Sequence, residues 1–375
     1  MRLGFACVWD PDAPRTWSHT PWNLRAALRA LAGGPEVVDV GVSLARPARR
    51  ALQLAHLRRH GGRLVSPWKH SAAFNALAQA VIDARARRAG CDAVLEIQDL
   101  ATPGVPFFVY SDLSYDVLLG AWARDQGSVP HFPMLDHERA LRRRERQLGV
   151  YERAAGVLAM SRWFARSLVE DSGLPAAKVH VVHPGVSAAG PAGPPPPRPA
   201  PRRRLLLVGR DFHTKGGDLV VAALARLRRE HDPAITLTVA GPDAWPLPGG
   251  VPDGVSFLGR LPAARVAALY DEHDLLVMPS RLEGFGIVFA EALARGLPCV
   301  GRAAFAMPEL ITPGRNGALV GGDDPGELAE AVAATLADDG VYAAALAGRE
   351  EVAAHFSWER AAADVLAAVF AGAAR

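Results

Sequence analysis

The sequence predicts an α/β protein with two doubly wound parallel sheets, each in a domain of its own. Short, uninterrupted apolar runs alternate with helix-length segments in both halves of the 375-residue chain. This alternation is typical of parallel strands that are covered on both faces. A stretch rich in Pro, Gly and Ala at residues 188–201 interrupts it and suits neither a helix nor the interior of a sheet. The chain is long enough for two domains that each bury a core.

The first half opens with an apolar run that we interpret as a strand. It ends at Asp10-Pro11-Asp12 without a small-residue cleavage site, so it does not match a signal peptide. No segment reaches the roughly 18 consecutive apolar residues that a membrane-spanning helix needs. Strands are predicted at residues 3–9, 37–40, 93–97, 107–110, 156–159 and 179–182, and helices at 22–31 and 71–89.

The second half repeats the alternation more clearly. Strands are predicted at residues 204–209, 236–240, 255–258 and 274–278, and helices at 218–230, 287–295 and 358–370. Ser357 is the expected N-cap of the last helix. Ligands of doubly wound sheets bind at the carboxyl ends of the strands, so the loops that follow the strands are the places to search for function.

Composition excludes several classes of protein. The net charge of +3 is too small to favour a nucleic-acid partner. We interpret the basic run at 142–144 as a solvated helix face, with peripheral membrane contact left open, and the run at 202–204 as a charged linker end. Cys7, Cys91 and Cys299 lie far apart among apolar neighbours. We expect reduced core thiols in a cytoplasmic protein, and the high content of Ala, Arg, Gly and Pro is typical of a GC-rich bacterial genome.

The most informative segment is 279–291, which reads Pro-Ser-Arg-Leu-Glu-Gly-Phe-Gly-Ile-Val-Phe-Ala-Glu. It places Glu283 on a strand-to-helix turn and Glu291 one to two turns into the helix. Gly284 and Gly286 let the backbone approach a ligand, and the unpaired amides of the first helical turn favour phosphate or hydroxyl oxygens. We expect Glu283 to accept hydrogen bonds from a sugar and Glu291 from a ribose. The alternative is that Glu283 caps the helix and Glu291 makes a surface ion pair.

A second strand-to-helix loop, at 209–218, reads Gly-Arg-Asp-Phe-His-Thr-Lys-Gly-Gly-Asp. It starts at Gly209 and brings the cations Arg210 and Lys215 close to a helix N-terminus. Such preorganised charges stabilise a departing diphosphate more in the transition state than in the ground state. The alternative is an ordinary helix start with two surface cations. The spacing matches neither a Walker loop nor Gly-x-Gly-x-x-Gly.

At 279–291 the chain resembles the retaining glycosyltransferases of family four, which have the GT-B architecture and a Glu-x7-Glu signature. The Gly-Arg and Lys-Gly-Gly-Asp pairs of 209–218 resemble the same family. The resemblance implies two Rossmann-like domains that face an inter-domain cleft. Its implied parts are an acceptor-side domain at 1–187, a Pro-rich linker at 188–203, a nucleotide-sugar donor domain at 204–356 and a helix at 357–375 that crosses back to the first domain.

The resemblance also implies an activity of the hexosyltransferase type. A sugar would pass from a nucleotide-diphosphosugar, such as a UDP- or GDP-sugar, to a hydroxyl of a sugar, lipid or small molecule, with retention of configuration. No cofactor is implied, and we expect no metal ion because Arg210, Lys215 and two helix N-termini already neutralise the diphosphate. Two alternatives stay open: a GT-B sugar phosphorylase that uses inorganic phosphate, and a non-catalytic subunit that binds a sugar nucleotide.

The implied donor site draws on three loops. At residues 257–261 backbone groups are expected to contact the base, and Arg260 is equally compatible with a simple strand end. The donor-binding residues implied by the resemblance are Gly209, Arg210, Lys215, Gly259, Arg260, Glu283, Gly284, Phe285, Gly286, Ile287, Val288 and Glu291. Which sugar and which base they bind is left open.

The acceptor side matches the family less closely. Most members have a glycine-rich loop after the first strand and a His after a later strand, whereas this chain resembles a minority that has a Trp-Ser-x-Thr-Pro loop and an Asp there. Asp112 is expected to act on an acceptor hydroxyl or to stabilise cationic character at the sugar carbon, or else to cap a helix. The loop candidates are Trp17, Ser18, His19 and Thr20, and His131 and His137 are weaker candidates.

Overall fold

The computed structural model describes residues 1–60, 63–124, 137–186 and 193–373. The chain divides into two compact units. Unit 1 comprises Met1–Gly185 and Trp358–Arg375, and unit 2 comprises Val186–Ser357. Part of the predicted linker (188–192) and the candidate His131 lie outside the described residues.

Unit 1 is built on a parallel sheet of six strands in the order β10-β9-β8-β7-β1-β3. Its central strands β7 and β8 are buried along their whole length, as uninterrupted apolar runs predict. The short strands β2 and β4 form a parallel pair, and β5 and β6 an antiparallel one. The strands are β1 (Arg2–Ala6), β2 (Val8–Trp9), β3 (Glu36–Asp39), β4 (Val42–Ser43), β5 (Arg58–His60), β6 (Arg63–Val65), β7 (Ala93–Ile97), β8 (Phe107–Ser111), β9 (Gly156–Ala159) and β10 (Val179–Val181).

The predicted strand at 3–9 is divided at Cys7. The carbonyl of Cys7 accepts the Val42 amide across 2.8 Å, so the chain leaves the main sheet there and continues as β2 beside β4. The helices of this part of the chain are α1 (Thr20–Ala30), α2 (Arg46–Ala55), α3 (Ala72–Ala89), α4 (Tyr115–Arg124), α5 (His137–Arg153) and α6 (Arg162–Glu170). The predicted helix at 71–89 is α3, with Ser71 as its N-cap through the Phe74 amide.

Unit 2 contains a second parallel sheet, in the order β13-β12-β11-β14-β15-β16. Its strands are β11 (Arg204–Val208), β12 (Thr236–Ala240), β13 (Val255–Gly259), β14 (Leu275–Val277), β15 (Cys299–Arg302) and β16 (Gly317–Val320). Its helices are α7 (Gly217–Glu230), α8 (Ala263–Glu272), α9 (Ile287–Ala294), α10 (Met307–Leu310), α11 (Pro325–Ala337) and α12 (Asp339–His355). The core on one face joins Leu207 and Val239 of the sheet to Leu224 of α7 and Val332 of α11.

The last helix, α13 (Trp358–Ala373), belongs to unit 1. It packs against α1 and β9, and Arg360 donates to the carbonyl of His183 across 2.8 Å. Gly185 lies so close to this helix that an added Cβ would sit 2.5 Å from the ring of Trp358. None of the helices in the described ranges combines the length and the apolar character that crossing a bilayer requires.

The two basic runs are solvated only in part. The side chains of Arg142, Arg203 and Arg204 are 64%, 42% and 53% exposed, whereas the other three are held by neighbouring groups. Arg143 donates to the hydroxyl of Tyr115 and to a carbonyl at 3.0 and 2.8 Å, and Arg144 pairs with Asp116. Arg202 is only 8% exposed, and its guanidinium lies 3.7 Å from the ring centre of Tyr342. These side chains are held by carbonyls, carboxylates and an aromatic ring from distant parts of the sequence, which a local charge pattern does not reveal.

Candidate active site

The two loops singled out by the sequence lie side by side in unit 2. The strands that precede them, β11 and β14, are neighbours in the sheet, with Leu205 opposite Leu275 and Leu206 opposite Leu276. Strand order reverses between these two strands, because the earlier crossovers lead from β11 to β12 and β13 and the later ones from β14 to β15 and β16. This reversal is the place where open α/β sheets bind ligands.

Two glycines allow these loops to approach each other and the helices that follow. Gly216 has a φ of +74° and precedes α7, and an added Cβ there would lie 2.7 Å from the carbonyl oxygen of Pro279. Gly286 has a φ of +90° and precedes α9. Neither glycine has a side chain that could cap its helix. At α7 the first amide, that of Gly217, already donates to the carbonyl of Phe212 across 2.7 Å. At α9 the amides of Ile287 and Val288 have no hydrogen-bond partner among the described residues, so they remain available for the oxygens of a ligand.

Lys215 and Glu283, one from each loop, form an ion pair of 2.7 Å between Nζ and Oε2. Ser280, which is fully buried, also donates to Glu283 Oε2, across 3.3 Å. Gly209 provides the space for the lysine, since an added Cβ would lie 2.6 Å from Cγ of Lys215. The N-cap of α9 is Gly286 and has no side-chain hydrogen bond. The alternative in which Glu283 caps that helix is therefore wrong.

Arg281 fastens the two loops together. Its amide donates to the carbonyl of Thr214 across 2.8 Å, and its guanidinium donates to the carbonyl of His213 across 2.7 Å. The same guanidinium binds both carboxylate oxygens of Asp218, at 2.7 and 2.9 Å. Burial alone would raise the pKa of Asp218, but this contact lowers it. Sequence reasoning missed Arg281, although it lies inside the segment 279–291.

Glu291 is held from a neighbouring helix. The hydroxyl of Tyr270 on α8 donates to its Oε2 across 2.7 Å. Burial raises the pKa of Glu291 to about 7, and the hydrogen bond from Tyr270 opposes this shift. Among the described residues Glu291 makes no ion pair, so the alternative of a surface ion pair is wrong. The tyrosine, 21 positions earlier in the chain, was not predicted.

The remaining donor candidates divide into exposed groups and core groups. Arg210 is exposed and has no hydrogen bond or ion pair to any described residue. Arg260 is also exposed, with Asp243 at 3.6 Å, while Gly259 accepts the Gly241 amide across 2.8 Å. Phe285 is 2% exposed, because its ring packs on that of Phe356 with centroids 5.6 Å apart. Gly284 is buried as well, whereas Ile287 and Val288 are half-buried.

The acceptor-loop candidates of unit 1 have an unusual backbone. Trp17, Ser18 and His19 have φ values of +41°, +55° and +67°, all in the left-handed region. Residues other than glycine rarely adopt this conformation, and such strain collects at functional sites. The loop is fixed at its base, where the hydroxyl of Thr16 accepts the Asp10 amide across 3.0 Å. The following Thr20 is 1% exposed and begins α1.

Asp112 follows directly on β8 and is half-buried. Its loop leads to α4, where the hydroxyl of Ser114 accepts the Val117 amide across 3.3 Å. Ser114 thus provides one capping hydrogen bond at the start of α4, and a capping role for Asp112 stays an alternative. A catalytic role for Asp112 stays a prediction.

A second buried carboxyl of unit 1 was missed by the sequence analysis. Glu96 stands between Leu95 and Ile97 in the otherwise apolar strand β7 and is 0% exposed. Its Oε2 accepts the amides of Leu100 and Ala101, each across 3.1 Å, whereas Oε1 has no described hydrogen-bond partner. Burial raises the pKa of Glu96 to about 8, against the effect of these two amides. The group is therefore mostly protonated at neutral pH.

The acidic pairs of the sequence have cationic or capping partners. Asp10 lies 3.2 Å from Nζ of Lys69, and Asp323 binds Arg281 across 2.8 Å. Asp324 caps α11 through the Gly326 amide. Within the described ranges, no group of three or more His, Cys, Asp or Glu side chains is arranged to hold a metal ion.

Two protein families match parts of this chain. The family described as "Glycosyl transferases group 1" matches residues 202–338. The family described as "Family 4 Glycosyltransferase in conflict systems" matches residues 129–248. The first match covers both loops of the candidate site.

Individual proteins show the same similarity. The D-inositol 3-phosphate glycosyltransferase of Xylanimonas cellulosilytica is 34% identical over 56% of this chain and 55% of its own length. The chain thus spans about half the length of the curated relatives it matches. The sucrose-phosphate synthase of Thermosynechococcus elongatus has a TM-score of 0.72 at 20% identity, over 99% of both chains. HepE of Anabaena, solved in complex with UDP and glucose, has a TM-score of 0.66 at 17% identity, also over 99% of both chains. The predicted GT-B fold class is confirmed.

Proposed function

Because this chain belongs to the family-four glycosyltransferases of GT-B fold, we propose that it transfers a sugar from a nucleotide-diphosphosugar to an acceptor hydroxyl with retention of configuration. The observation that carries the proposal is the ion pair between Lys215 and Glu283 at the strand-order reversal of unit 2. It brings together a cation for the diphosphate and a carboxylate for the sugar. HepE, solved with UDP and glucose, supports a UDP-sugar as the first donor to test.

Donor binding separates this ion pair. The diphosphate takes the ammonium of Lys215, and the sugar hydroxyls donate to the carboxylate of Glu283. Arg210, which is exposed and has no partner among the described residues, adds a second cation from the same loop. The open amides at the start of α9 complete an anion site. At the other end of the donor, Glu291 accepts the ribose hydroxyls while Tyr270 holds one of its oxygens.

The transfer step exchanges one bond at the sugar carbon for another. The bond from this carbon to the diphosphate oxygen breaks, and the acceptor oxygen forms a bond to the carbon on the same face. The acceptor proton passes to the departing phosphate oxygen. Arg210, Lys215 and the helix amides stabilise the charge that develops there. Because this positive charge is already supplied by the chain, the proposed reaction needs no metal ion.

The acceptor is proposed to bind unit 1. Its hydroxyl group, on a sugar, lipid or small molecule, approaches Asp112 and the strained loop 17–20. The inositol phosphate named for the Xylanimonas relative makes polyols the first acceptors to test. We place the enzyme in the cytoplasm, in keeping with three cysteines that are free and buried.

The experiment that tests the proposal is calorimetric titration with UDP, GDP, ADP, CDP and dTDP, followed by donor consumption with the matching nucleotide sugar. We expect one nucleotide to bind selectively and Arg210→Ala to weaken its binding. Arg315→Ala is the matched control, because Arg315 is also an exposed arginine of unit 2 but lies outside the proposed site. Consumption of a sugar 1-phosphate, with none of a nucleotide sugar, would overturn the proposal in favour of a phosphorylase.

A further inference from the structure

The segment at residues 193–203 of unit 2, called here the anchor segment, is bonded to the helices α8 and α9 by a buried arginine. Arg198 is 8% exposed. Its guanidinium donates to the carbonyls of Tyr270, His273 and Gly296 at 2.7, 2.8 and 3.1 Å. One side chain thus binds the ends of two helices, since α8 ends at Glu272 and α9 at Ala294.

The chemistry of helix ends explains why an arginine occupies this position. The last carbonyls of a helix have no partner within it and carry partial negative charge. A planar guanidinium with five donors can bond several of them at once in fixed directions, which a lysine ammonium cannot do. Burial lowers the pKa of Arg198, and the nearby Asp271 opposes that shift.

A second set of contacts ties the same two helices together and to the anchor segment. Arg295, just after α9, binds both carboxylate oxygens of Asp271 on α8, with Nε to Oδ1 at 2.9 Å. The same guanidinium donates to the carbonyl of Gly193 across 3.3 Å. The anchor segment is therefore bonded to the end of α9 at two places. Prolines at 194–197, 199 and 201 stiffen the chain between and after these places.

Tyr270 connects these contacts to the donor site. Its carbonyl accepts from Arg198, and its hydroxyl donates to Glu291. From this geometry, and resting on the proposed function, we propose that Arg198 is a positioning residue for Glu291. By fixing the ends of α8 and α9, it holds the carboxylate where it meets the ribose of the donor.

The neighbouring Arg202 offers a matched control. It is equally buried, at 8% exposure, and is bonded to the carbonyls of Arg198 and Leu336 at 2.7 and 3.0 Å and to Asp339 at 2.6 Å. Among its described contacts none is to α8 or α9. Loss of Arg202 therefore removes a buried arginine that bonds the anchor segment at the Arg198 carbonyl, while the bonds from the Arg198 guanidinium to the helix pair that carries Tyr270 and Glu291 stay in place.

The test is a calorimetric comparison of Arg198→Lys with Arg202→Lys, each in the wild-type and the Glu291→Gln background. The ligands are pyrophosphate and the nucleoside diphosphate that wild type binds. We expect Arg198→Lys to weaken nucleoside diphosphate binding about five-fold or more, and to lose this effect in the Glu291→Gln background. Pyrophosphate binding should be unchanged in both lysine variants. Two results would overturn the proposal. One is that Arg198→Lys weakens the binding of pyrophosphate as much as that of the nucleoside diphosphate. The other is that it weakens nucleoside diphosphate binding equally in the wild-type and the Glu291→Gln background.

Hydrogen exchange of the wild-type protein provides a second test, which needs no variant and so is unaffected if a variant fails to fold. The nucleoside diphosphate should slow amide exchange in the last turns of α8 and α9 and at residues 198–203, and pyrophosphate should not. Protection confined to the loops 209–216 and 279–286 would contradict the inference. If wild type binds no nucleoside diphosphate, the proposed function itself fails. If wild type binds a nucleoside diphosphate and this binding depends on Glu291 but not on Arg198, only the inference fails.

Discussion

Lys215 donates to Glu283 across 2.7 Å, and this contact joins the loop after β11 to the loop after β14. The two side chains are 19% and 10% exposed, so each needs a partner in the free protein. In the ion pair each side chain is the partner of the other. A charged ligand with hydroxyl groups can take the place of both partners. A diphosphosugar carries both kinds of group, and we propose that its phosphates bind the lysine and its hydroxyls the glutamate.

Removing either member of this pair should lower turnover more than stability. We expect Lys215→Met and Glu283→Gln each to reduce donor turnover about 100-fold, because each loses a charge that the proposed site directs at the reacting part of the donor. The measurement is initial rate at saturating donor, with the unfolding transition followed in parallel. Arg226→Met is the control, since Arg226 forms an exposed ion pair with Glu230 on α7, away from both loops. Turnover near wild type in both site variants would refute the assignment.

Nucleoside diphosphate binding should depend on pH through Glu291. Its pKa is raised to about 7 in the free protein by burial, and only the ionised form accepts both hydroxyls of a ribose. We therefore expect affinity to fall about ten-fold from pH 8 to pH 6. Calorimetry across this range checks it, with Glu291→Gln as the control that retains the titration of the nucleotide itself. Tyr270→Phe should move the midpoint to higher pH, because the hydroxyl that favours the ionised form is lost. A wild-type profile that matches Glu291→Gln would contradict this.

The close approach of Gly216 to Pro279 should make alanine costly there. An added Cβ would be 2.7 Å from the Pro279 carbonyl, on a backbone with φ of +74°. Gly314 has nearly the same φ, +75°, with nothing within 4 Å of an added Cβ. Gly314→Ala should therefore cost only the left-handed strain, about 1–2 kcal/mol. Gly216→Ala should cost roughly 1–3 kcal/mol more, because the two loops must separate. Urea unfolding measures the difference, and equal costs would show that the contact is unimportant.

Glu96 should make the stability of unit 1 depend on pH. Its folded pKa is raised to about 8 from 4.5, so the folded protein holds a proton that the unfolded chain releases between these values. The free energy of unfolding should then fall as pH rises from about 5 to about 8. We expect Glu96→Gln to lose most of this slope and Glu145→Gln, at an exposed position of α5, to keep it. Tryptophan fluorescence during urea unfolding is a suitable measurement, since most tryptophans belong to unit 1. If the free energy of unfolding falls with pH equally in wild type and Glu96→Gln, Glu96 does not cause the pH dependence.

The candidate donor site was largely predictable because its residues lie in short segments with a strong local pattern. The apolar run before residue 279 and the two glycines at 284 and 286 predict a strand, a turn and a helix. The sequence also predicts the ligands Lys215 and Glu283 separately. It does not predict that they bond to each other, because they are 68 positions apart and meet only when β11 and β14 become neighbours.

Other parts of the site depend on contacts that no local sequence pattern predicts. Tyr270 lies in an ordinary amphipathic helix, and Arg198 stands in a proline-rich stretch whose composition predicts a linker. Glu96 follows three apolar residues of a buried strand, where sequence rules expect another apolar side chain. In each case the partner is a helix end, a backbone amide or a residue of another element. Packing of the whole unit is needed to place them.

The left-handed run at Trp17, Ser18 and His19 makes this loop a natural target in laboratory evolution. Each such residue costs of order 1–3 kcal/mol, so a single exchange such as Ser18→Gly should yield a more heat-resistant protein. Selection for thermostability alone would then favour glycine here. Sugar transfer should therefore be measured together with the melting temperature in such a selection. The same exchange to glycine makes the loop less rigid, and this is the loop that we propose binds the acceptor.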